Sequence, residues 1–418
     1  MKTIEGHDVK IFTDNIEPSA LNQIQQLLSI NVFSDKKIRI MPDVHAGAGC
    51  VIGFTGNLGD KVIPNIVGVD IGCGMRVLNL GRLPEIDFHA FHQHILENVP
   101  SGMWVRQEKR GFKPLVGEEM EIYREAKQLV IQLHCYRLLK DSARINKAIG
   151  TLGGGNHFIE LDKDSDGNVY LVIHTGSRNL GKQVADIYQQ KAIEHLTDGA
   201  EEFEETIKRT IEEYKAAGRR SELQGVIRKM RKHQKMAEPK LPAELCYVEG
   251  EAREHYLHDM RLCQRWAILN RKLIARLLMR FFPGIEITEE FESVHNYISD
   301  DNIIRKGAIS AARGQRCIIP LNMRDGSIIC SGKGNPDWNC SAPHGAGRVL
   351  SRSQAYEKIT MDDFREAMRG IYSESVNDFT RDESPMVYKP AQEIIDNIAD
   401  TVTIDSIIRP IFNFKASK

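Results

Sequence analysis

The chain has 418 residues, a length that predicts either two or three ordinary domains or one large α/β unit. Its 56 lysines and arginines almost balance its 57 aspartates and glutamates, and the net charge of −1 excludes a histone-like basic protein. With 41% hydrophobic and 27% charged residues, the composition is that of a folded globular protein and excludes a largely disordered chain.

The location of the protein is predicted from two further patterns. No stretch approaches the ~20 apolar residues that a membrane span needs, and the first residues lack the apolar run of a signal peptide. The eight cysteines are scattered and include no C-x-x-C pair, which indicates reduced thiols. We therefore expect a cytoplasmic protein with no membrane partner.

The first half of the chain alternates strand and helix patterns. From residue 37 to residue 80, β-branched runs punctuated by glycine predict strands that end in loops, with no helix. Residues 86–98 and 118–149 have helical spacing and are expected to cover a sheet. Residues 158–161 and 169–173 flank the sequence DKDSDGN, which predicts a β-hairpin.

Residues 201–240 form a charged segment that is acidic first and basic afterwards. An apolar stripe, a stop at Gly218 and a capping box from Ser221 to Gln224 predict two antiparallel helices inserted into the fold. Residues 215–235 hold eight basic side chains against one acidic side chain, a local charge of 8 − 1 = +7. This basic helix is either a solvated face, a protein contact or a surface that binds phosphates.

The rest of the chain predicts one long helix and then further strands. A helix over about residues 248–280 places Tyr256, Met260 and Trp266 in the core and stops at Pro283. Glycine-punctuated strands follow to about residue 345, and helices are expected near 361–371 and 391–400.

Two motifs imitate ligand sites without completing them. Asp162, Asp164 and Asp166 resemble the start of a calcium loop, but Ile173 stands where that loop needs a bidentate Glu. The glycine-rich segment 176–182 resembles a phosphate-binding loop, but Gln183 stands where the magnesium-binding Ser or Thr belongs. Neither a calcium loop nor a P-loop is predicted.

Metal-type side chains recur at strand ends and beside glycines: Asp43, His45, Asp70, Cys73, His157, His174, His295 and His344. A thiolate and a carboxylate three residues apart, as at Asp70 and Cys73, can both reach one metal or bridge two. The alternative is a buried cysteine beside a capping aspartate. His157 and His174 lie on the two arms of the predicted hairpin, so strand pairing can bring them together.

His344 lies between Pro343 and three small residues, Gly345, Ala346 and Gly347. An imidazole so flanked is open to act as a nucleophile, and the backbone N–H groups can receive anionic oxygens. The alternative is a loop histidine without a role. Asn156, next to His157, can hold a phosphate or a base edge or can simply make a turn.

Taken in order, the motifs resemble one family, the RtcB-type RNA-splicing ligases, and the chain is similar to a divergent paralogue of it. The motifs are MPDVHAG, GVDIGCGM, GTLGGGNHFIE, HTGSR, HNY, RKGA, HGAGRVLSR and SPMVYK. The resemblance implies one α/β (α+β) domain over residues 1–418, built of packed β-sheets flanked by helices and carrying the 201–240 insertion. It also implies GTP as cofactor, two Mn²⁺ ions and a histidine that becomes guanylylated.

The resemblance further implies roles for individual residues. His344 is the implied nucleophile, and the implied metal ligands are Asp70, Cys73, His157, His174 and His295, with Cys73 between both ions. The implied guanylate contacts are Asn156, His157, Phe158, Glu160, His295, Asn296, Pro320, Met323, Ser327, His344, Gly345, Ala346, Gly347 and Lys415. The implied RNA-phosphate contacts are Arg178, Lys306 and Arg352.

The activity implied is the joining of RNA 3′-phosphate or 2′,3′-cyclic phosphate ends to 5′-hydroxyl ends, in RNA repair or tRNA splicing, with an archease-like protein as a possible activator. The donor set itself would also suit Zn²⁺ or Co²⁺, so manganese rests on the resemblance. The chain departs from the family at Ala48, where a lysine is frequent, and at Ala342 and Pro343, within the segment that is typically SCS. The other functions to be distinguished are a metal-dependent cyclic phosphodiesterase without sealing and a non-catalytic protein that binds RNA ends or ribosomes.

Overall fold

A computed structural model describes residues 1–106, 112–197, 200–233 and 238–416. The fold is mixed α/β, as the sequence predicts, with two large β-sheets flanked by helices. Within these residues no helix is both long and apolar enough to cross a lipid bilayer.

The strands, in chain order, are β1 (Lys2–Thr3), β2 (Val9–Ile11), β3 (Ile38–His45), β4 (Ile52–Asn57), β5 (Lys61–Val62), β6 (Gly74–Asn79), β7 (Phe158–Lys163), β8 (Val169–Thr175), β9 (Val248–Glu249), β10 (Glu289–Val294), β11 (Asn296–Ile298), β12 (Ile303–Lys306), β13 (Ala308–Ser310), β14 (Arg316–Asn322), β15 (Gly326–Gly332), β16 (Ser341–Pro343) and β17 (Val402–Phe414).

The α-helices are α1 (Pro18–Leu28), α2 (Pro64–Val67), α3 (Phe88–Asn98), α4 (Glu118–Ile131), α5 (Ser142–Lys147), α6 (Arg178–His195), α7 (Ala200–Ala216), α8 (Leu223–His233), α9 (Gly250–Met279), α10 (Arg352–Lys358), α11 (Met361–Ala367) and α12 (Ala391–Asn397). Short 3₁₀ helices lie at Tyr136–Leu138, Arg220–Glu222, Ala243–Leu245, Pro336–Trp338, Asp378–Glu383 and Pro385–Val387.

The larger sheet has seven strands in the order β10-β6-β8-β7-β17-β15-β14. Its centre is the predicted hairpin, in which β7 and β8 pair antiparallel with Phe158 opposite His174. The thirteen-residue strand β17 pairs with β7 on one side and β15 on the other, with a bulge in each pairing. The second sheet has six strands in the order β1-β2-β3-β4-β12-β11. The two sheets bring residues from distant parts of the chain to one region.

Helix α9 is the main helix of the core, and its position confirms the long helix predicted from the sequence. Tyr256, Met260 and Trp266 on it are buried, and the helix packs against α4, α6 and the end of β8. It also buries two polar side chains completely, Asn270 and Arg271. Buried polar groups of this kind need hydrogen-bond partners, and both find them in the loops that form the site described below.

Two sequence predictions about local structure were wrong. The segment 37–80 does contain a helix, α2, which begins with Pro64 at its first position; proline fixes φ in the helical range and lacks only an N–H that would be unpaired there. Ser221 does not cap α8, because it lies inside the 3₁₀ helix at residues 220–222 and α8 begins at Leu223.

The helical pattern over 118–149 is divided into α4, a 3₁₀ turn and α5. The inserted segment does form two helices, joined at Gly218, whose φ of +72° is the left-handed conformation that ends α7.

Candidate active site

Side chains that could hold a metal ion gather into two groups, which we call the metal groups and which share one cysteine. The ligating atoms of Asp70, Cys73 and His157 lie within 4.8 Å of one another, and so do those of Cys73, His174 and His295. The Cys73 sulfur lies 3.3 Å from Nε2 of His174 and 3.6 Å from Nε2 of His157. The structure therefore brings together all five residues predicted as metal ligands, with Cys73 between the two groups.

The turn that carries Asp70 and Cys73 is held in place by α9. Gly72 in this turn has a φ of +72°, and a Cβ added there would lie 2.7 Å from the backbone of Gln264 on α9, so no other residue fits without a shift. The buried Arg271 donates to the carbonyls of Gly72, at 2.9 Å, and Thr175, at 2.7 Å. One guanidinium thus ties the Asp70–Cys73 turn to the strand end that carries His174.

Backbone carbonyls fix the orientation of two histidines. Nδ1 of His157 donates to the carbonyl of Leu152 at 2.9 Å, and Nδ1 of His174 donates to that of Asn156 at 3.1 Å. Because a carbonyl oxygen only accepts, the proton of each neutral ring is on Nδ1 and the lone pair of Nε2 points into the site. This is the arrangement in which a hydrogen bond to one nitrogen orients the other toward a metal.

The donor set fits a cation on physical grounds. Nε2 of His157 lies 3.0 Å from a carboxylate oxygen of Asp70, a contact that suits either a cation held by both atoms or a proton on that nitrogen. Burial, with a contribution from Asp70, raises the pKa of the Cys73 thiol well above its ordinary value, so that a thiolate there needs a nearby cation. Nδ1 of the buried His295 finds no hydrogen-bond partner among the described residues.

Burial also lowers the pKa of His174 and of His295 well below the ordinary value for histidine, and the imidazoles around each ring act in the same direction. Both rings are therefore neutral near pH 7 and can offer lone pairs.

A central cavity of about 320 Å³ opens beside the two metal groups. The predicted site residues that line it are Asp70, Cys73, Asn156, Phe158, Glu160, His174, His295, Asn296, Pro320, Met323, His344, Gly345, Ala346, Gly347, Arg352 and Lys415. Ser327 lies on β15 opposite Pro320, a wall residue, and its hydroxyl is buried with no partner in the described part of the chain. The cavity therefore combines predicted metal ligands, the predicted nucleophile and most of the predicted nucleotide contacts.

His344 is held at the cavity by a buried carboxylate, that of Asp43. One carboxylate oxygen of Asp43 accepts from Nδ1 of His344 at 2.6 Å and from its backbone N–H at 3.1 Å. The imidazole remains 20% exposed, whereas Asp43 is fully buried. This arrangement keeps a proton on Nδ1 and leaves Nε2 with a lone pair, which is what a nucleophilic imidazole requires.

The other end of the cavity has a carboxylate and a lysine over an aromatic ring. Glu160 accepts from the amide of Asn413 at 2.6 Å, and burial raises its pKa to about 7, although Asn413 and Lys415 act against that shift. The ammonium of Lys415 lies 5.3 Å from the centre of the Phe158 ring. An apolar face with a carboxylate and an ammonium at its edge is able to receive a purine base.

Glu383 connects Lys415 with the arginines of the cavity wall. Its buried carboxylate accepts from Tyr388 at 2.7 Å and pairs with Lys415 at 3.4 Å, Arg348 at 3.3 Å and Arg352 at 3.4 Å. The side chain of Arg352 is 54% exposed and also donates to Asp382 at 2.6 Å. Of the predicted RNA contacts, Arg352 is therefore the one in the cavity wall.

The other two predicted RNA contacts are held by backbone carbonyls. The guanidinium of Arg178 donates to the carbonyl of Gly102 at 3.0 Å and lies beside the metal groups rather than in the cavity wall. Lys306 is buried, and its ammonium donates to the carbonyls of Ala48 and, at 2.9 Å, Asn65. The structure does not bring Lys306 into the cavity.

Four residues that shape the site have no role predicted from the sequence: Arg271, Arg348, Glu383 and Tyr388. Asp43 was singled out as a metal-type side chain, but its contact with His344 spans 301 residues of sequence. Glu383 stands beside the SPMVYK motif, which could have drawn attention to it. Arg271 gives no signal in the sequence, because it lies in the middle of a helix with many charged residues.

Known proteins are similar to this chain over most of its length. A family model described as tRNA-splicing ligase RtcB matches residues 23–416. The RNA-splicing ligase RtcB of Escherichia coli K12 is 29% identical over 98% of this chain and 97% of its own length. The tRNA-splicing ligases RtcB of Aeropyrum pernix and Methanococcus maripaludis are 28% and 25% identical, covering 89% and 94% of this chain and 86% and 89% of their own. Because the match includes every segment that builds the cavity and both metal groups, the chain belongs to the RtcB family.

Proposed function

We propose that this protein is a GTP- and Mn²⁺-dependent RNA ligase that joins 3′-phosphate or 2′,3′-cyclic phosphate ends to 5′-hydroxyl ends. The observation that carries the proposal is the position of His344, with its Nδ1 bound to the buried Asp43 and its ring in a cavity whose wall includes ligands of both metal groups. The names of its relatives support the more general conclusion that it is an RNA ligase.

The two metal groups would each hold one divalent ion, with Asp70 and His157 on one side of Cys73 and His174 and His295 on the other. When bound, such ions supply positive charge that stabilises the phosphates of the nucleotide and of the RNA end. The thiolate and imidazole donors fit several divalent metals, and we propose Mn²⁺ from the family.

In the first step, Nε2 of His344 attacks the α-phosphorus of GTP. A P–N bond forms, the bond from the α-phosphorus to the bridging oxygen breaks, and pyrophosphate leaves with that electron pair. Asp43 accepts the Nδ1–H hydrogen bond throughout and stabilises the positive charge that develops on the ring. GMP is then stored on His344.

The guanine base is proposed to lie at the Phe158 end of the cavity. An ionised Glu160 can accept from the two N–H donors on the Watson–Crick edge of guanine, while Asn413 holds the carboxylate in place. Lys415, held by Glu383, can donate to the acceptors of the nucleotide.

The RNA steps follow from the stored GMP. Water opens a cyclic end to a 3′-phosphate, an oxygen of that phosphate attacks the GMP phosphorus, and the P–N bond to His344 breaks. The 5′-hydroxyl of the second RNA end then attacks the 3′-phosphorus, and GMP leaves as the strand is sealed. The planar guanidinium of Arg352 suits a phosphate of the RNA, and we extend the same role to Arg178 and Lys306.

Incubation with α-labelled GTP and Mn²⁺ tests the proposal. The protein is expected to acquire an acid-labile, base-stable label that His344→Ala abolishes and that His195→Ala, a change of an exposed histidine, leaves intact. No label on the wild-type protein contradicts the proposal. Opening of cyclic ends without a label would instead indicate a phosphodiesterase, and RNA binding with neither reaction would indicate a binding protein.

We propose further that residues 1–418 act as one ligase domain in the cytoplasm, with 201–240 as an insertion. RNA turnover measured with and without an added archease-like protein will show whether an activator is needed.

A further inference from the structure

We propose that Trp104 is a stacking platform for an unpaired base of the RNA beside the end that is joined. The inference rests on the proposed function for the identity of the substrate, RNA. It concerns the surface next to Arg178, outside the cavity that holds His344.

The turn that carries Trp104 is fixed to the loop that leads into the metal site. The backbone N–H of Trp104 donates to Ser101 at 3.1 Å and closes the turn, and that of Gly102 donates to the carbonyl of Gly153 at 2.9 Å. Leu152, the residue before Gly153, supplies the carbonyl that orients His157. Trp104 therefore has a defined position relative to the metal groups.

Arg178 lies between this turn and the glycine loop. Its guanidinium donates to the carbonyl of Gly102, and a Cβ added at Gly153 would lie 1.6 Å from one of its nitrogens, so the guanidinium occupies the space that a side chain would take. Two residues further, a Cβ at Gly155 would lie 3.5 Å from Arg352. The glycine loop thus runs between two arginines, and Trp104 lies on the Arg178 side of it.

The exposure and charge of the turn favour a nucleic acid. Trp104 is 51% exposed and its neighbour Met103 is 77% exposed. A second guanidinium, that of Arg144, donates to the carbonyl of Met103 at 2.7 Å. The turn thus combines an exposed aromatic side chain with two guanidinium groups bound to its backbone. Aromatic and cationic side chains together bind single-stranded nucleic acid, because a ring stacks on a base while the cations attract the backbone. These cations make the surface better suited to RNA than to an apolar protein partner.

The three tryptophans of the chain allow a direct measurement. Trp266 and Trp338 are buried, at 1% and 3% exposure, so Trp104 is the one that a soluble quencher and a bound base can both reach. We expect a short single-stranded RNA with a 3′-phosphate to quench its fluorescence and to protect it from acrylamide. Trp104→Ala should raise the Kd for this RNA about 5- to 150-fold, the range for loss of one stacked base, and Trp104→Phe should restore most of the affinity.

The control is Ile131→Ala, which truncates a similarly exposed side chain, at 52%, at the end of α4. It should leave RNA binding unchanged, and both Trp104 variants should still take the GMP label on His344. An unchanged Kd in a Trp104→Ala protein that is labelled normally overturns the inference and leaves the proposed function intact. The inference is also overturned if Trp104→Ala loses binding to an activator protein while its affinity for RNA is unchanged. Absence of label on the wild-type protein contradicts the proposed function, and the RNA-binding measurement still decides the role of Trp104.

Discussion

Replacement of Asp43 tests whether its hydrogen bond to His344 contributes to the proposed chemistry. The same oxygen of Asp43 accepts from the ring Nδ1 at 2.6 Å and from the backbone N–H of His344 at 3.1 Å. In Asp43→Asn, the backbone N–H still needs an acceptor, so the amide oxygen should take this position. Nδ1 then keeps its proton and its acceptor, and only the negative charge is lost.

The expected magnitude follows from that difference. A hydrogen bond to a charged acceptor exceeds a neutral one by about 1–2 kcal/mol, which lowers the rate of guanylylation about 5- to 30-fold in Asp43→Asn. Asp43→Ala removes the acceptor and frees the ring to turn and to carry its proton on Nε2. Since a histidine in the wrong tautomer cannot attack, the rate should fall by about 10³-fold or more.

The assay is single-turnover transfer of labelled GMP to His344, with thermal unfolding measured in parallel to confirm that each variant is folded. Asp43→Ala within about 5-fold of the wild-type rate would refute the proposed role of the carboxylate. Equal rates for Asp43→Asn and Asp43→Ala would refute the argument that the backbone N–H fixes the orientation of the amide.

Five further predictions concern the rest of the site and the insertion. Cys73→Ala should reduce bound Mn²⁺, measured by elemental analysis, at both metal groups at once, because both include this sulfur. Affinity for GTP should fall as the pH drops through about 7, where Glu160 becomes protonated, and Glu160→Gln should bind GTP weakly at every pH. Because the folded-state pKa of Glu160 lies above its ordinary value of 4.5, its contribution to stability is present below pH 4.5 and lost as the pH rises to about 7; unfolding of Glu160→Gln should lack this component. Lys306→Ala removes the hydrogen bonds of a buried ammonium to the carbonyls of Ala48 and Asn65 and should lower the free energy of unfolding by about 1–3 kcal/mol. Reversing four basic side chains of the insertion should lower the salt-dependence slope of RNA binding by about 3; these are Lys215, Arg219, Arg220 and Arg228.

Specific results would contradict these predictions. His344→Ala should retain its metal, so a Cys73→Ala protein with the same Mn²⁺ content would contradict the shared thiolate. A GTP affinity independent of pH would contradict the role of Glu160. Unchanged stability of Lys306→Ala would contradict a stabilising role for the bonds from its ammonium to the two carbonyls. An unchanged salt-dependence slope in the insertion variant would indicate that the basic helix is a solvated face or a protein contact and does not bind RNA.

The metal groups were predictable because their positions follow from local rules. Strand ends carry the side chains, and in the β7–β8 hairpin Phe158 lies opposite His174, which brings the neighbouring His157 to the same end of the sheet. Turn chemistry around Gly72 then places Cys73 against both. Residue type, strand period and a short hairpin contain most of this information.

Long-range pairings and burial were not predictable from these rules. Nothing in the MPDVHAG motif shows that Asp43 faces a histidine 301 residues away. Lys306 is buried in the fold, and its burial was not predictable because Ala48 and Asn65, which supply the two carbonyls, lie 258 and 241 residues away in the sequence. The short α2 was missed because four residues are too few to establish a period.

The order of the site residues along the chain has a consequence for biosynthesis. The residues of both metal groups lie between 70 and 295, whereas His344 and Lys415, which we propose to contact the nucleotide, come later. A nascent or truncated chain that ends between these points would have every metal ligand and no nucleophile. Guanylylation of His344 would then report that synthesis has passed residue 344.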